Sequence, residues 1–303
     1  MSTKADVGDF PGRFREIVSD PLNLFIRRAA NAGFTDGSLV YLHNGLRVPV
    51  SGANSYYGDF SSIFVINRGV HEPLEEFIFQ EVLKLMPPAP VMLELGAYWG
   101  HYSMWLKNCR PDADVHLVEP DPDNLRVGIE NFEINGFSGN FIEDFVGKGG
   151  FAVDDYLREL SIPKLDILHT DIQGYEVEML QACTESLRKC RIDFVFLSTH
   201  SQQLHSDCVA LLGASNYRVE VEADFDNGTT SYDGFILASS PLLSRAFDGF
   251  APLTRTQIAC AQPAVLGEYI SKVMSFLGKP DQLSTPHASE LREGFVAGSS
   301  ERG

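Results

Sequence analysis

From Val91 to Ser240 the chain repeats one pattern: a short apolar run, a polar or glycine break, then a stretch of helical length. The runs are VMLEL (Val91 to Leu95), DVHLVEP (Asp114 to Pro120), NFIEDFV, KLDILHTD (Lys164 to Asp171) and IDFVFLST (Ile192 to Thr199). Helices are expected near His101–Asn108, Asn124–Asn135, Tyr175–Cys190 and Gln202–Leu212. Strands that alternate with helices build a mostly parallel, doubly wound sheet covered on both faces. The closing runs YRVEVEAD and GFILASS, Tyr217 to Asp224 and Gly234 to Ser240, flank Asn227-Gly228 and add an antiparallel hairpin at the edge. The expected fold class is therefore α/β, Rossmann-like.

The flanks are less regular. Residues 1–88 are expected to form a cap segment. It would hold a helix from about Phe14 to Ala30, a hairpin from Ser38 to Val50 turning at Asn44-Gly45, a strand at Ile63–Asn67 and a helix at Glu72–Leu85. Pro87, Pro88 and Pro90 close that segment, residues 89–240 form the sheet domain, and 241–303 are a C-terminal helix and polar tail. Val265, Leu266, Tyr269, Ile270, Val273, Met274 and Leu277 form one apolar stripe at helical spacing. Such a stripe packs on its own domain or, less often, makes a homo-oligomer surface.

Charge narrows the partners. Lys and Arg total 24 against 41 Asp and Glu, a net charge of −17, which repels phosphate backbones and disfavours nucleic acid. No run reaches the apolar length of a membrane span, and the N-terminus lacks a signal-peptide layout. The five cysteines are scattered without CxxC spacing, as expected of reduced cytoplasmic thiols rather than a zinc site.

The most informative segment is LELGAYWGHYS. A strand ends at Glu94, and Gly96, Ala97 and Gly100 form the turn into a helix, where backbone can approach a ligand closely. Glu119, in VEPDPDN, ends the next strand nineteen residues after Gly100, placed to accept from both ribose hydroxyls of an adenosine cofactor, with Pro120 beside it. A dinucleotide wants GxGxxG around its pyrophosphate, and the middle glycine is missing. S-adenosylmethionine carries no phosphate and tolerates E-x-G-x-x-x-G. Glu143, Asp144 and Phe145, after the third strand, stand where such a cofactor's adenine is contacted, and either acid could accept from the adenine amino group.

LELGAYWGHYSMWL, VHLVEPDPDNLRVGIENFEING and LDILHTDIQGYEVEMLQA, followed by FLSTHS and YDGF, resemble the FkbM-type S-adenosylmethionine-dependent methyltransferases. The resemblance spans roughly Val91 to Ser240, about half the chain. It implies a class I methyltransferase fold and O-methylation of sugars or natural products. The chain departs from the commoner family pattern at three places: His169 where lysine is frequent, Gln173 where glutamate is frequent, and Ser198 where a strand-end glutamate is frequent.

On the acceptor side, strand ends at the carboxyl edge should line the crevice. His200, in Thr199-His200-Ser201, is the expected general base, by residue type and position. Asp171 is expected to orient His200 or the acceptor, or alternatively to cap the following helix. A divalent ion such as Mg²⁺ on Asp171, Glu176 and His200 is the less favoured alternative, because those residues lack a diagnostic spacing. His169 is expected to be a satisfied core histidine, His71 a loop or lid residue, and Asp233 a turn residue near the pocket. Tyr56, Tyr57 and Phe60 with Tyr98 and Trp99 form either an apolar acceptor wall or ordinary packing. The expected activity is O-methyl transfer to a small hydroxylated acceptor. The competitors are a binding protein of the same fold without turnover and, less favoured, a nucleotide-dependent oxidoreductase.

Overall fold

The computed structural model describes residues 10–147 and 149–278. The first segment carries α1 (Phe10–Ser19), the short strands β1 (Thr35–Asp36), β2 (Leu39–Tyr41) and β3 (Arg47–Pro49), then α2 (Ile63–Ile66) and α3 (Pro73–Leu83). β2 and β3 pair antiparallel with Val40 opposite Val48, which is the expected hairpin, and β1 adds a third strand.

Two expectations fail here for local reasons. The helix expected to run to Ala30 ends at Ser19, because Pro21 offers no N–H and the Asp20 carboxylate instead caps a 3₁₀ turn through Leu22 N at 2.9 Å. The strand expected at Ile63–Asn67 is the single helical turn α2. Ile63 and Phe64 are buried while Val65 and Ile66 are exposed, a pattern no period-two strand produces.

The main sheet follows. Its elements are β4 (Val91–Leu95), α4 (His101–Cys109), β5 (Asp114–Val118), α5 (Pro122–Ile134), β6 (Asn140–Ile142), α6 (Val153–Glu159), β7 (Leu165–Thr170), α7 (Glu176–Ala182), α8 (Thr184–Arg188), β8 (Ile192–Thr199), α9 (Gln202–Ala214), β9 (Arg218–Ala223) and β10 (Gly234–Ser239). Strand order is β6-β5-β4-β7-β8-β10-β9, parallel from β6 through β8, with β10 antiparallel to both β8 and β9. This is the class I, Rossmann-like α/β sheet. The chain winds one way through β5 and β6 and the other way through β7 and β8, so the strand order reverses between β4 and β7. In open α/β sheets the ligand crevice lies outside that point.

α10 (Arg255–Cys260) and α11 (Pro263–Leu277) complete the described chain. Of the α11 stripe, Tyr269 and Val273 are buried, whereas Val265, Met274 and Leu277 are exposed. Phe276 stacks on Phe247 with ring centroids 5.7 Å apart, so one side of the helix packs on its own chain. The polar tail from Lys279 lies outside the described residues. Among the described residues no helix is long and apolar enough to cross a membrane.

α3 matters most for the site. All eleven of its residues are buried, including Phe77, Ile78, Phe79 and Val82 on successive faces, and each such side chain contributes about 1.5–3 kcal/mol of burial. A helix apolar all round has no solvent face, so its acids must find partners inside.

Candidate active site

The turn after β4 is fixed by backbone geometry. Gly96 has φ +71°, and a Cβ there would fall 1.8 Å from the Asp171 carbonyl oxygen, so β4 and β7 can close at the strand reversal only with glycine at this position. Tyr98, where a dinucleotide fingerprint carries its middle glycine, also sits left-handed at φ +43°. The turn keeps the glycine-like path with an aromatic side chain, whose hydroxyl accepts from Tyr57 N at 3.1 Å and ties the turn to the first segment.

Around this turn lies a cavity of about 860 Å³. Glu94, Gly96, Ala97, Glu119, Pro120 and Phe145 all line it. Glu119 is buried, and Oε2 accepts from Tyr98 N at 3.0 Å while Oε1 accepts from Asp121 N at 3.1 Å. Burial raises its pKa, and those N–H groups oppose the rise. The carboxylate is thereby aimed, with lone pairs left over for a diol. Glu94 instead supports the helix, since its Oε2 accepts from Ser103 N at 3.0 Å and satisfies the first turn of α4.

Three of the residues expected at the cofactor lie off the cavity lining. Gly100 does not line the cavity. Its place at φ +74° is set by packing, since a Cβ would meet the Phe132 ring at 2.9 Å. Glu143 and Asp144 are exposed and off the cavity wall, because β6 ends at Ile142 and Asp144 Oδ1 turns back to Phe145 N at 2.7 Å. The wall there is Phe145 and Val146, an apolar surface for a flat ring.

The ends of β7 and β8 converge as expected. Asp171, Ile172 and Gln173 line the cavity, whereas His200 does not. His200 Nε2 lies 3.1 Å from Asp171 Oδ1 and 3.6 Å from Asp233 Oδ1, and Nδ1 contacts Glu176 Oε1. Burial works against the imidazolium, yet hydrogen bonds to Asp171 and Glu176 outweigh it and push the pKa up to about 11. His200 thus faces carboxylates rather than the cavity lining where the base was expected. Burial tends to raise the Asp171 pKa, but His200 brings it below the ordinary carboxylate value, so Asp171 is ionised. Burial and the neighbouring Asp171 push Asp233 up to about 8. Three carboxylates thus surround one imidazole. Nor does Asp171 cap a helix. α7 starts at Glu176, whose Oε1 accepts from Gly174 N at 3.0 Å.

The aromatic group is a wall and also packing. Tyr56, Tyr57, Tyr98 and Trp99 line the cavity, with Tyr56 5.0 Å from Trp99 and 6.0 Å from Phe60, which lies behind. His71 sits in the loop before α3, as expected, and is buried there on the cavity lining.

Helix α3 supplies what sequence reasoning missed. Glu75 Oε1 lies 2.6 Å from His169 Nε2, and its Oε2 accepts from the Ser198 hydroxyl at 3.1 Å. Burial pushes Glu75 up to about 8. A carboxylate from α3 thus occupies the ground beside Ser198, where the family pattern has a strand-end glutamate, and pairs with His169, where the pattern has a lysine. Glu72 Oε2 accepts from Tyr102 OH at 2.7 Å on the cavity wall. The signal lay in the composition of EPLEEFIFQEVL, with acids in a helix too apolar to have a wet face.

Comparison with known proteins adds to this geometry. The family model described as methyltransferase FkbM domain matches residues 150–219. The hexuronic acid methyltransferase AglP of Haloferax volcanii is 21% identical over 175 residues, covering 48% of this chain and 71% of that protein. Among solved structures, a precorrin-6y C5,15-methyltransferase from Geobacter metallireducens is 19% identical at a TM-score of 0.40, covering 54% of this chain and 87% of its own. M. capricolum TrmK with S-adenosyl-homocysteine is 15% identical at 0.38, covering 68% and 88%.

Proposed function

We propose that the chain is an FkbM-type methyltransferase that O-methylates a hydroxyl of a sugar or small natural product with S-adenosylmethionine as donor. The observation that carries the proposal is one cavity lined by the Gly96–Ala97 turn and Glu119 and also by Asp171 and Gln173. Gly96 and Ala97 would bind the methionine part, Glu119 the ribose hydroxyls, and Phe145 with Val146 the adenine. When bound, the cofactor supplies an electrophilic methyl group on its sulfonium.

The chain's own residues do the rest. Tyr56, Tyr57 and Trp99 exclude water from the acceptor side, and Asp171 orients the acceptor hydroxyl and receives its proton. His200 holds Asp171 in position as a charged partner. The sugar acceptor draws support from the hexuronic acid specificity in AglP's name.

The test is to incubate the chain with S-adenosylmethionine and a panel of uronic acids and hydroxylated natural products, following S-adenosylhomocysteine release against pH. With Asp171 ionised, kcat/KM stays flat from pH 7 down to about pH 5. A histidine base would instead lower it about tenfold per unit below about pH 6.5. Cofactor binding without turnover on any acceptor would make the chain a binding protein of this fold.

A further inference from the structure

At the cavity wall, which His101 itself helps to line, three segments bring two imidazoles to one carboxylate. His43 comes from the β2–β3 loop, Glu76 from the first turn of α3, and His101 opens α4. All three are buried, at 1%, 0% and 2% exposure, and their candidate ligand atoms lie within 4.8 Å of one another.

The two oxygens of Glu76 are used unequally. Oε1 accepts from the His71 and Glu72 N–H groups at 3.0 and 3.3 Å, and His71 Nδ1 lies 2.5 Å from it. Oε2 has no hydrogen bond, although His43 Nε2 stands 3.2 Å away, and His101 Nε2 has none either. His101 Nε2 stands 3.9 Å from Oε1. A buried carboxylate oxygen and two buried imidazole nitrogens without hydrogen bonds leave polar groups unsatisfied, at real energetic cost. Ligands on one tetrahedral ion at about 2.0–2.1 Å sit roughly 3.3 Å apart, close to the His43–Glu76 separation.

We infer that His43, Glu76 and His101 form a binding site for one divalent transition-metal ion of the zinc class. Two imidazoles and a carboxylate suit such an ion better than Mg²⁺ or Ca²⁺, which prefer oxygen shells. His71 is a positioning residue that fixes Glu76 through Oε1. His101 stacks on Trp99 at 4.9 Å and 12°, so the ion clamps the first segment to the helix that follows the glycine turn. The site does not depend on the methyl-transfer reading, nor on the Asp171, Glu176 and His200 set.

The experiment uses the untagged full chain. Metal content is measured by mass spectrometry as purified; the chain is then stripped with a chelator and titrated with Zn²⁺, Co²⁺ and, separately, Mg²⁺. The expected result is about one equivalent of Zn²⁺ or Co²⁺, visible d–d bands with Co²⁺, and a melting temperature that rises with Zn²⁺ but not with Mg²⁺. His71→Asn should keep the ion at about 10–100-fold weaker affinity. His43→Gln and Glu76→Gln should lose it, while Cys109→Ser with Cys260→Ser keeps it. Stripped wild-type chain that takes up no Zn²⁺ and gives no d–d bands would overturn the inference, as would bands that persist in Glu76→Gln. The wild-type titration decides the matter even where a buried variant fails to fold.

Discussion

The cofactor and acceptor ends proposed for the cavity are built by different means. At the cofactor end, position comes from backbone: Gly96 and Tyr98 in the left-handed region, and a Glu119 carboxylate held by N–H groups two residues and twenty-one residues away. At the acceptor end, position comes from side chains of distant segments. Glu75 reaches His169 and Ser198 across 94 and 123 residues of sequence, and His200 gathers Asp171, Glu176 and Asp233. Local backbone geometry leaves a spacing in the sequence; convergence of remote side chains leaves none.

The sharpest break of that contrast is at Asp171. Asp171→Asn should lower kcat by about 10²–10⁴-fold while leaving affinity for S-adenosylhomocysteine within about threefold, by turnover and calorimetry. Equal losses in both would mean the two ends are not separate. Gly96→Ala probes the backbone end. With its new methyl driven into the Asp171 carbonyl, it should lose about 3 kcal/mol or more in urea unfolding. An unchanged midpoint would show that the strand reversal tolerates a side chain.

Glu119→Ala should weaken S-adenosylhomocysteine by about 10–100-fold, about 1.4–2.7 kcal/mol, without altering acceptor KM.

His200 gives a pH signature. Its folded pKa is raised, so the stability it contributes is full below the unfolded value of 6.5 and fades as pH rises toward about 11. Wild type should therefore lose stability relative to His200→Gln between pH 7 and 10, by up to about 1.4 kcal/mol per unit. Parallel curves would show that His200 is neutral and restore it as a base. The smallest effect is expected of Tyr98→Gly, which relieves the positive φ but frees Tyr57 N, for a net change within about 1 kcal/mol by urea unfolding.

The same contrast governs what could be read without coordinates. The strand–helix alternation, the edge hairpin and the Glu94–Gly96–Glu119 spacing were legible, because periodicity and glycine turns are properties of neighbouring residues. Ile63–Asn67 was misread because an apolar run of that length does not distinguish a strand from one helical turn. The exposure of Glu143 and Asp144 follows from the end of β6 at Ile142, a boundary no residue type marks. The nature of His200 was illegible in principle. Its ordinary pKa suggests a base, and only the fold brings three carboxylates around it, which favour the charged ring. Glu75 and Glu76 were hidden by the opposite habit, which takes helical glutamates as a solvated face.

Everything proposed for catalysis depends on one cavity holding an adenosyl cofactor between Gly96 and Glu119. Isothermal titration of the full chain with S-adenosylhomocysteine, and in parallel with NADH, tests that most directly. The prediction is one site of micromolar affinity for S-adenosylhomocysteine and no heat from NADH. Binding of NADH alone would contradict it.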